Sequence, residues 1–125
     1  MPVRVAMDVP LVALEAAVQG LVGINIALLG ALRGQVPRLY DSGVRYREPG
    51  KTKWHNVADV IDLNYGDCKD LVAYRVAELQ FFDGEAARPH VYLTRRARKY
   101  HVIVVRGDGT EEDPSAIIHD LERNR

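Results

Sequence analysis

With 125 residues, 47% of them hydrophobic and 27% charged, the chain is sized for one domain of ordinary globular composition, which excludes a disordered polypeptide and two full-sized cores. Seventeen Lys and Arg balance seventeen Asp and Glu, so whole-molecule attraction to nucleic acid or to an acidic membrane is not expected. The single cysteine, Cys68, excludes an intramolecular disulfide and fits a reducing compartment without requiring one.

Leu11 to Leu32 is nearly all apolar and about long enough to span a bilayer. Glu15, Gln19 and Asn25 interrupt it, and Gly20, Gly23 and Gly30 lower its helix propensity. Arg4 is a thin positive start for an export signal, and Glu15 would fall inside that signal's apolar region. The stretch is therefore read as a helix covered by protein, not as a membrane span or leader. It is expected to start near Asp8, with Pro10 in its first turn, and to end at Arg33-Gly34. Leu11, Leu14, Val18, Leu21, Val22, Ile26 and Leu29 make a stripe so wide that the helix should meet protein on more than one side.

Val36 to Lys53 is loop-rich, with Pro37, Gly43, Pro49 and Gly50, and Val44-Arg45-Tyr46 is a candidate short extended piece. A short helix capped by Asn56 is expected over Val57 to Leu63. After the break at Gly66, a second strong helix should run from Cys68 to Phe82 and close at Gly84. The period then changes. His90 to Thr94 and Tyr100 to Val105 read as strands joined by the basic turn Arg95-Arg96-Ala97-Arg98-Lys99. Apolar residues on both faces of the second mark it as a central strand. Gly107-Asp108-Gly109 leads to a short third strand ending near Asp113. Pro114 opens a last helix with a polar tail, Glu122 to Arg125, expected to fray. The order predicts one α+β domain, with a helical segment at 1–36 and a core at 37–125 that carries the candidate site.

Cysteine reacts as the thiolate, and Cys68 falls in the first turn of a helix. Asp67 is its cap and Asp70 holds the capping-box position, with Asp in place of Glu. The unpaired amides of that turn favour negative charge on sulfur and can donate to an oxyanion. Cys68 also lies on the apolar stripe of Leu71, Val72 and Leu79, so a buried structural thiol is an equally direct reading. Asp67 and Asp70 oppose a thiolate unless their side chains turn to cap the backbone.

His101 opens the apolar strand, an unusual place for a polar ring without a partner. If Gly107-Asp108-Gly109 is a three-residue loop, Arg106 faces Thr110 and pairing runs out to Ile103 opposite Asp113. His101 and Asp113 then share a face, with Cβ atoms about 5 to 8 Å apart. A two-residue Asp108-Gly109 turn would slip the register and put them on opposite faces. Asp113 before Pro114 is also an ordinary helix start. A carboxylate, an imidazole and a thiol together make the set that nucleophilic acyl transfer uses.

Pro37-Arg38-Leu39-Tyr40-Asp41-Ser42-Gly43-Val44-Arg45-Tyr46, Trp54, Gly66-Asp67-Cys68-Lys69-Asp70-Leu71, Tyr100-His101-Val102-Ile103-Val104 and Glu112-Asp113-Pro114-Ser115, in that order, resemble the small transglutaminase-like proteins of tailed bacteriophages and prophages. The similarity covers roughly residues 10–118. The resemblance implies a papain-like cysteine-protease fold with Cys68, His101 and Asp113 as its triad. It implies acyl transfer on a peptide or protein substrate, which we read as hydrolysis of an amide or isopeptide bond in preference to transglutaminase-like cross-linking, and residence in the host cytoplasm or the virion. That superfamily also holds idle members, so a phage head, neck or tail assembly role, docking through the first helix, stands as the other expectation. The sequence departs from the pattern after Asp113-Pro114-Ser115, where Ala116-Ile117-Ile118-His119 continues a helix.

Trp54 is a candidate wall of the substrate cleft or a core residue, and Asn64 a candidate oxyanion donor. His55, His90, His101 and His119 lack metal-ligand spacing with Cys68, and no phosphate-binding glycine loop is present, so neither metal nor cofactor is expected. The basic turn is read as solvated hairpin surface, with contact to DNA or an acidic partner as the lesser reading.

Overall fold

In the computed structural model, which describes residues 9–48, 53–95 and 99–125, helices and two small sheets make a mixed α+β fold. The expected cap Asp8, the charge at Arg4, Pro49-Gly50 and the centre of the basic turn lie outside the described residues.

Helix α1 (Val9–Ala31) ends through Arg33 and Gly34, whose positive φ angles of 56° and 70° turn the chain left-handed. One face of α1 is buried, through Val18, Leu21, Val22, Asn25 and Leu29. Val12 and Ile24, away from that face, are 65% and 53% exposed, so within the chain α1 is covered on one face.

After a 3-10 turn at Leu39–Asp41 come β1 (Arg45–Tyr46), α2 (Val57–Leu63) and β2 (Tyr65–Gly66). Asn56 caps α2 in a full capping box with Asp59. Strands β1 and β2 pair in parallel, Arg45 with Tyr65 and Tyr46 with Gly66, with α2 as the crossover. The extended piece at Arg45–Tyr46 was legible in sequence; its partner, read only as a break at Gly66, was not.

Helix α3 (Cys68–Asp83) is the centre of the fold, and Leu71, Val72, Tyr74, Val76 and Leu79 are all essentially inaccessible. Val72, Val76 and Leu79 pack with α1 and with Val91, Val102 and Val104, while Leu71 and Tyr74 join Leu39, Val44, Val57, Val60 and Ile118 in a second cluster. Burying each such side chain contributes about 1.5–3 kcal/mol, so α3 supplies the largest share of core burial. Gly84 closes it at φ +62°, as its position predicts.

Strands β3 (Arg88–Leu93), β4 (Tyr100–Val105) and β5 (Glu111–Glu112) form an antiparallel sheet with β4 in the middle. Val102, Ile103 and Val104 are buried, so both faces of β4 are covered at its centre. Helix α4 (Pro114–Arg123) follows directly. In its tail, the Glu122 carboxylate accepts the Tyr46 N–H at 2.6 Å, and Arg125 donates to the Gly43 carbonyl at 3.2 Å. These bonds join the last turn of the chain to β1.

Candidate active site

The turn after β4 decides whether His101 and Asp113 can meet. Arg106 N–H bonds to the Thr110 carbonyl at 2.7 Å, with Val105 opposite Glu111 and Val104 opposite Glu112. This is the three-residue loop, and Gly109 takes its left-handed position at φ +88°. Position 113 therefore falls opposite 103, and the imidazole Nε2 of His101 lies 2.8 Å from Asp113 Oδ2. A carboxylate only accepts, so Nε2 carries a proton, and in the neutral imidazole Nδ1 then presents its lone pair. No other group hydrogen-bonds Nδ1 among the described residues. Asp113 also caps α4, its Oδ1 accepting the Ala116 N–H at 3.4 Å, so it does both jobs.

Cys68 occupies the first position of α3. Asp67 accepts the Asp70 N–H at 3.2 Å, and Asp70 accepts the Asp67 N–H at 3.2 Å. Both carboxylates thus turn to cap the backbone, and the Lys69 ammonium pairs with Asp67.

The thiol meets β4 at its vacant edge. Val91 N–H goes to Glu15 Oε1 at 3.0 Å, which makes Val91 and Val102 a pair without mutual hydrogen bonds. Val102 N–H therefore points away from β3, toward the place where β5 would continue. The residue due there is Pro114, which has already entered α4. The Val102 N–H is left to hydrogen-bond the Cys68 sulfur. Tyr92 joins the group, its ring 5.5 Å from that of His101 at 78°. Burial raises the Tyr92 hydroxyl pKa, and the nearby Asp113 and Glu111 charges add to the rise.

Burial pushes the Cys68 thiol up to about 11; the Val102 amide and Lys69 oppose that rise, and Asp67 and Glu48 add to it. The resting sulfur is therefore a neutral thiol at pH 7. The Val102 amide and the Lys69 ammonium do not outweigh desolvation.

Trp54 is 40% exposed and lies under the Lys69 ammonium, 5.1 Å from its ring centre, beside the start of α3. Asn64 serves the backbone: it is the left-handed cap of α2 at φ 64°, its carbonyl accepts the Arg45 N–H, and its residue is exposed. His101 and Asp113 are hydrogen-bonded, and Cys68 reaches the amide of Val102, the residue after His101; Trp54 stands beside the start of α3, and among the described residues Asn64 has no side-chain bond to His101 or Asp113.

Several features escaped sequence reading. Asp70, 1% exposed, accepts both the N–H and the Nδ1 of His55, tying the Trp54 loop to α3. Burial raises the Asp70 pKa, and the Asp67 charge adds to it. Glu78, fully buried, accepts the Leu39 N–H at 2.7 Å and pairs with Arg75 at 2.6 Å. A glutamate three residues after an arginine on an otherwise apolar helix face was the available signal. Among the described residues no cluster of His, Cys, Asp and Glu is arranged to hold a metal. Set against family models, curated proteins and solved structures, the chain matches none of them.

Proposed function

We propose that the protein is a thiol-dependent acyl-transfer enzyme of transglutaminase-like, papain-related layout that hydrolyses a peptide, isopeptide or other amide bond. The observation that carries this reading is the 2.8 Å His101–Asp113 pair, formed across a hairpin whose vacant edge receives Cys68. Asp113 fixes the imidazole tautomer, leaving Nδ1 as the base.

Because the thiol is neutral at rest, its proton passes to His101 Nδ1 as sulfur attacks the acyl carbon, not before. The S–C bond forms and the carbonyl electrons move to oxygen, where the amides of the first turn of α3 can receive the charge. Collapse expels the amine with the proton from His101 and leaves a thioester. Water, giving its proton to the same nitrogen, then releases the acid and restores the thiol.

The test is acyl-enzyme capture by mass spectrometry with activated esters and peptidyl amides, together with turnover of an amide library. The adduct should map to Cys68, vanish in Cys68→Ala and form about 10²–10⁴-fold more slowly in His101→Ala. No adduct, or equal rates in His101→Ala, would overturn the proposal.

A second reading is favoured by the raised Cys68 pKa and by the exposed apolar face of α1. In it, the fold is an idle member of the same class that serves phage particle assembly. Particles made without the protein would then show a head or tail defect that Cys68→Ala rescues fully. Failure of that rescue returns the weight to catalysis.

A further inference from the structure

The strand that leads to Asp113 is short, so few backbone bonds fix its register beyond the turn. Strand β5 has two residues, and its backbone pairing to β4 extends only from Arg106–Thr110 to Val104–Glu112. A slip of one residue would carry Asp113 to the opposite face, away from His101.

Beyond the turn itself, one side chain ties this strand to the rest of the fold. Three donors converge on the Glu112 carboxylate: the Tyr40 hydroxyl, Arg75 Nε at 2.7 Å and Arg106 Nη1 at 2.8 Å. Each is anchored elsewhere. Arg75 belongs to α3 and pairs with buried Glu78; Arg106 is held by both oxygens of Glu85, at 2.6 and 2.7 Å; Tyr40 sits in the 3-10 turn. Arg75 also lies seven residues after Cys68, on the same side of α3. One clamp thus joins the helix that carries the thiol to the residue before Asp113. Ion networks of this kind add little stability over apolar packing, but in some proteins they select one arrangement over its alternatives.

Resting on the acyl-transfer site described above, we infer that Glu112, through Arg75, Arg106 and Tyr40, is the positioning residue that sets the register of β5 and so keeps Asp113 on His101. Glu112→Ala suits a test because it strands neither arginine: Arg75 keeps Glu78 and Arg106 keeps Glu85. The readout is the pair of ring ¹⁵N shifts of His101, which report its tautomer.

In the wild-type protein, one protonated and one free nitrogen should be resolved. In Glu112→Ala the two shifts should converge as they do in Asp113→Ala, with the helical circular dichroism retained. Glu112→Gln, which keeps shape and loses charge, provides a second variant and decides the matter if Glu112→Ala does not fold. A single ordered tautomer in every folded Glu112 variant would overturn the inference. Turnover does not enter this measurement. An inactive enzyme with the expected His101 shifts would sink the acyl-transfer reading and leave the register clamp standing.

Discussion

Raising the pH through the alkaline range isolates Cys68 as no substitution does. Burial holds its thiol at about 11 against an ordinary 9.0, so at pH 8 the folded protein should carry about 100-fold less thiolate than the unfolded chain. The same difference corresponds to about 3 kcal/mol of linked stability. The folded value is the higher one. The contribution is therefore complete below about pH 9 and is lost as pH rises through about 11. Two assays follow. Iodoacetamide, which needs thiolate but no acyl chemistry, should alkylate native Cys68 about 100-fold more slowly than the urea-unfolded protein at pH 8, with a rate still climbing at pH 10. The denaturation free energy should fall between pH 9 and 11 by about 3 kcal/mol more than in Cys68→Ser, a comparison that cancels the tyrosines. An alkylation plateau near pH 6 to 7 that disappears in His101→Ala would refute the reasoning. It would mean a resting thiolate–imidazolium pair overrides desolvation.

Two further predictions concern the frame around the site. Glu85 is held down to about 2 by the Arg106 guanidinium and the Gly107 N–H, so its contribution is present above about pH 4.5 and lost as pH falls through about 2. Glu85→Gln should flatten the acid limb of the stability curve over that window, and an unchanged limb would contradict it. Leu71→Ala, at a fully buried site under Gly66, should cost about 2–5 kcal/mol in urea denaturation, whereas Val12→Ala on the exposed face of α1 should stay within about 0.5 kcal/mol. Equal losses would show that the exposed face is covered in solution.

Local chemistry determined a good deal from sequence alone. Asn56, Asp67 and Gly84 delimit their helices because each residue satisfies orphan backbone groups within a few positions of itself. Gly107-Asp108-Gly109 left two registers open, and the folded hairpin takes the three-residue loop that brings His101 to Asp113. What the tertiary structure alone decided depends on partners distant in the chain. The pairing of β1 with β2, the exposure of one α1 face and the Glu112 clamp each join segments that no local pattern relates. The state of Cys68 is the sharpest case. Its place at a helix start argues for a thiolate, but how deeply β4 and its neighbours desolvate the sulfur is a property of packing, and packing keeps the proton on.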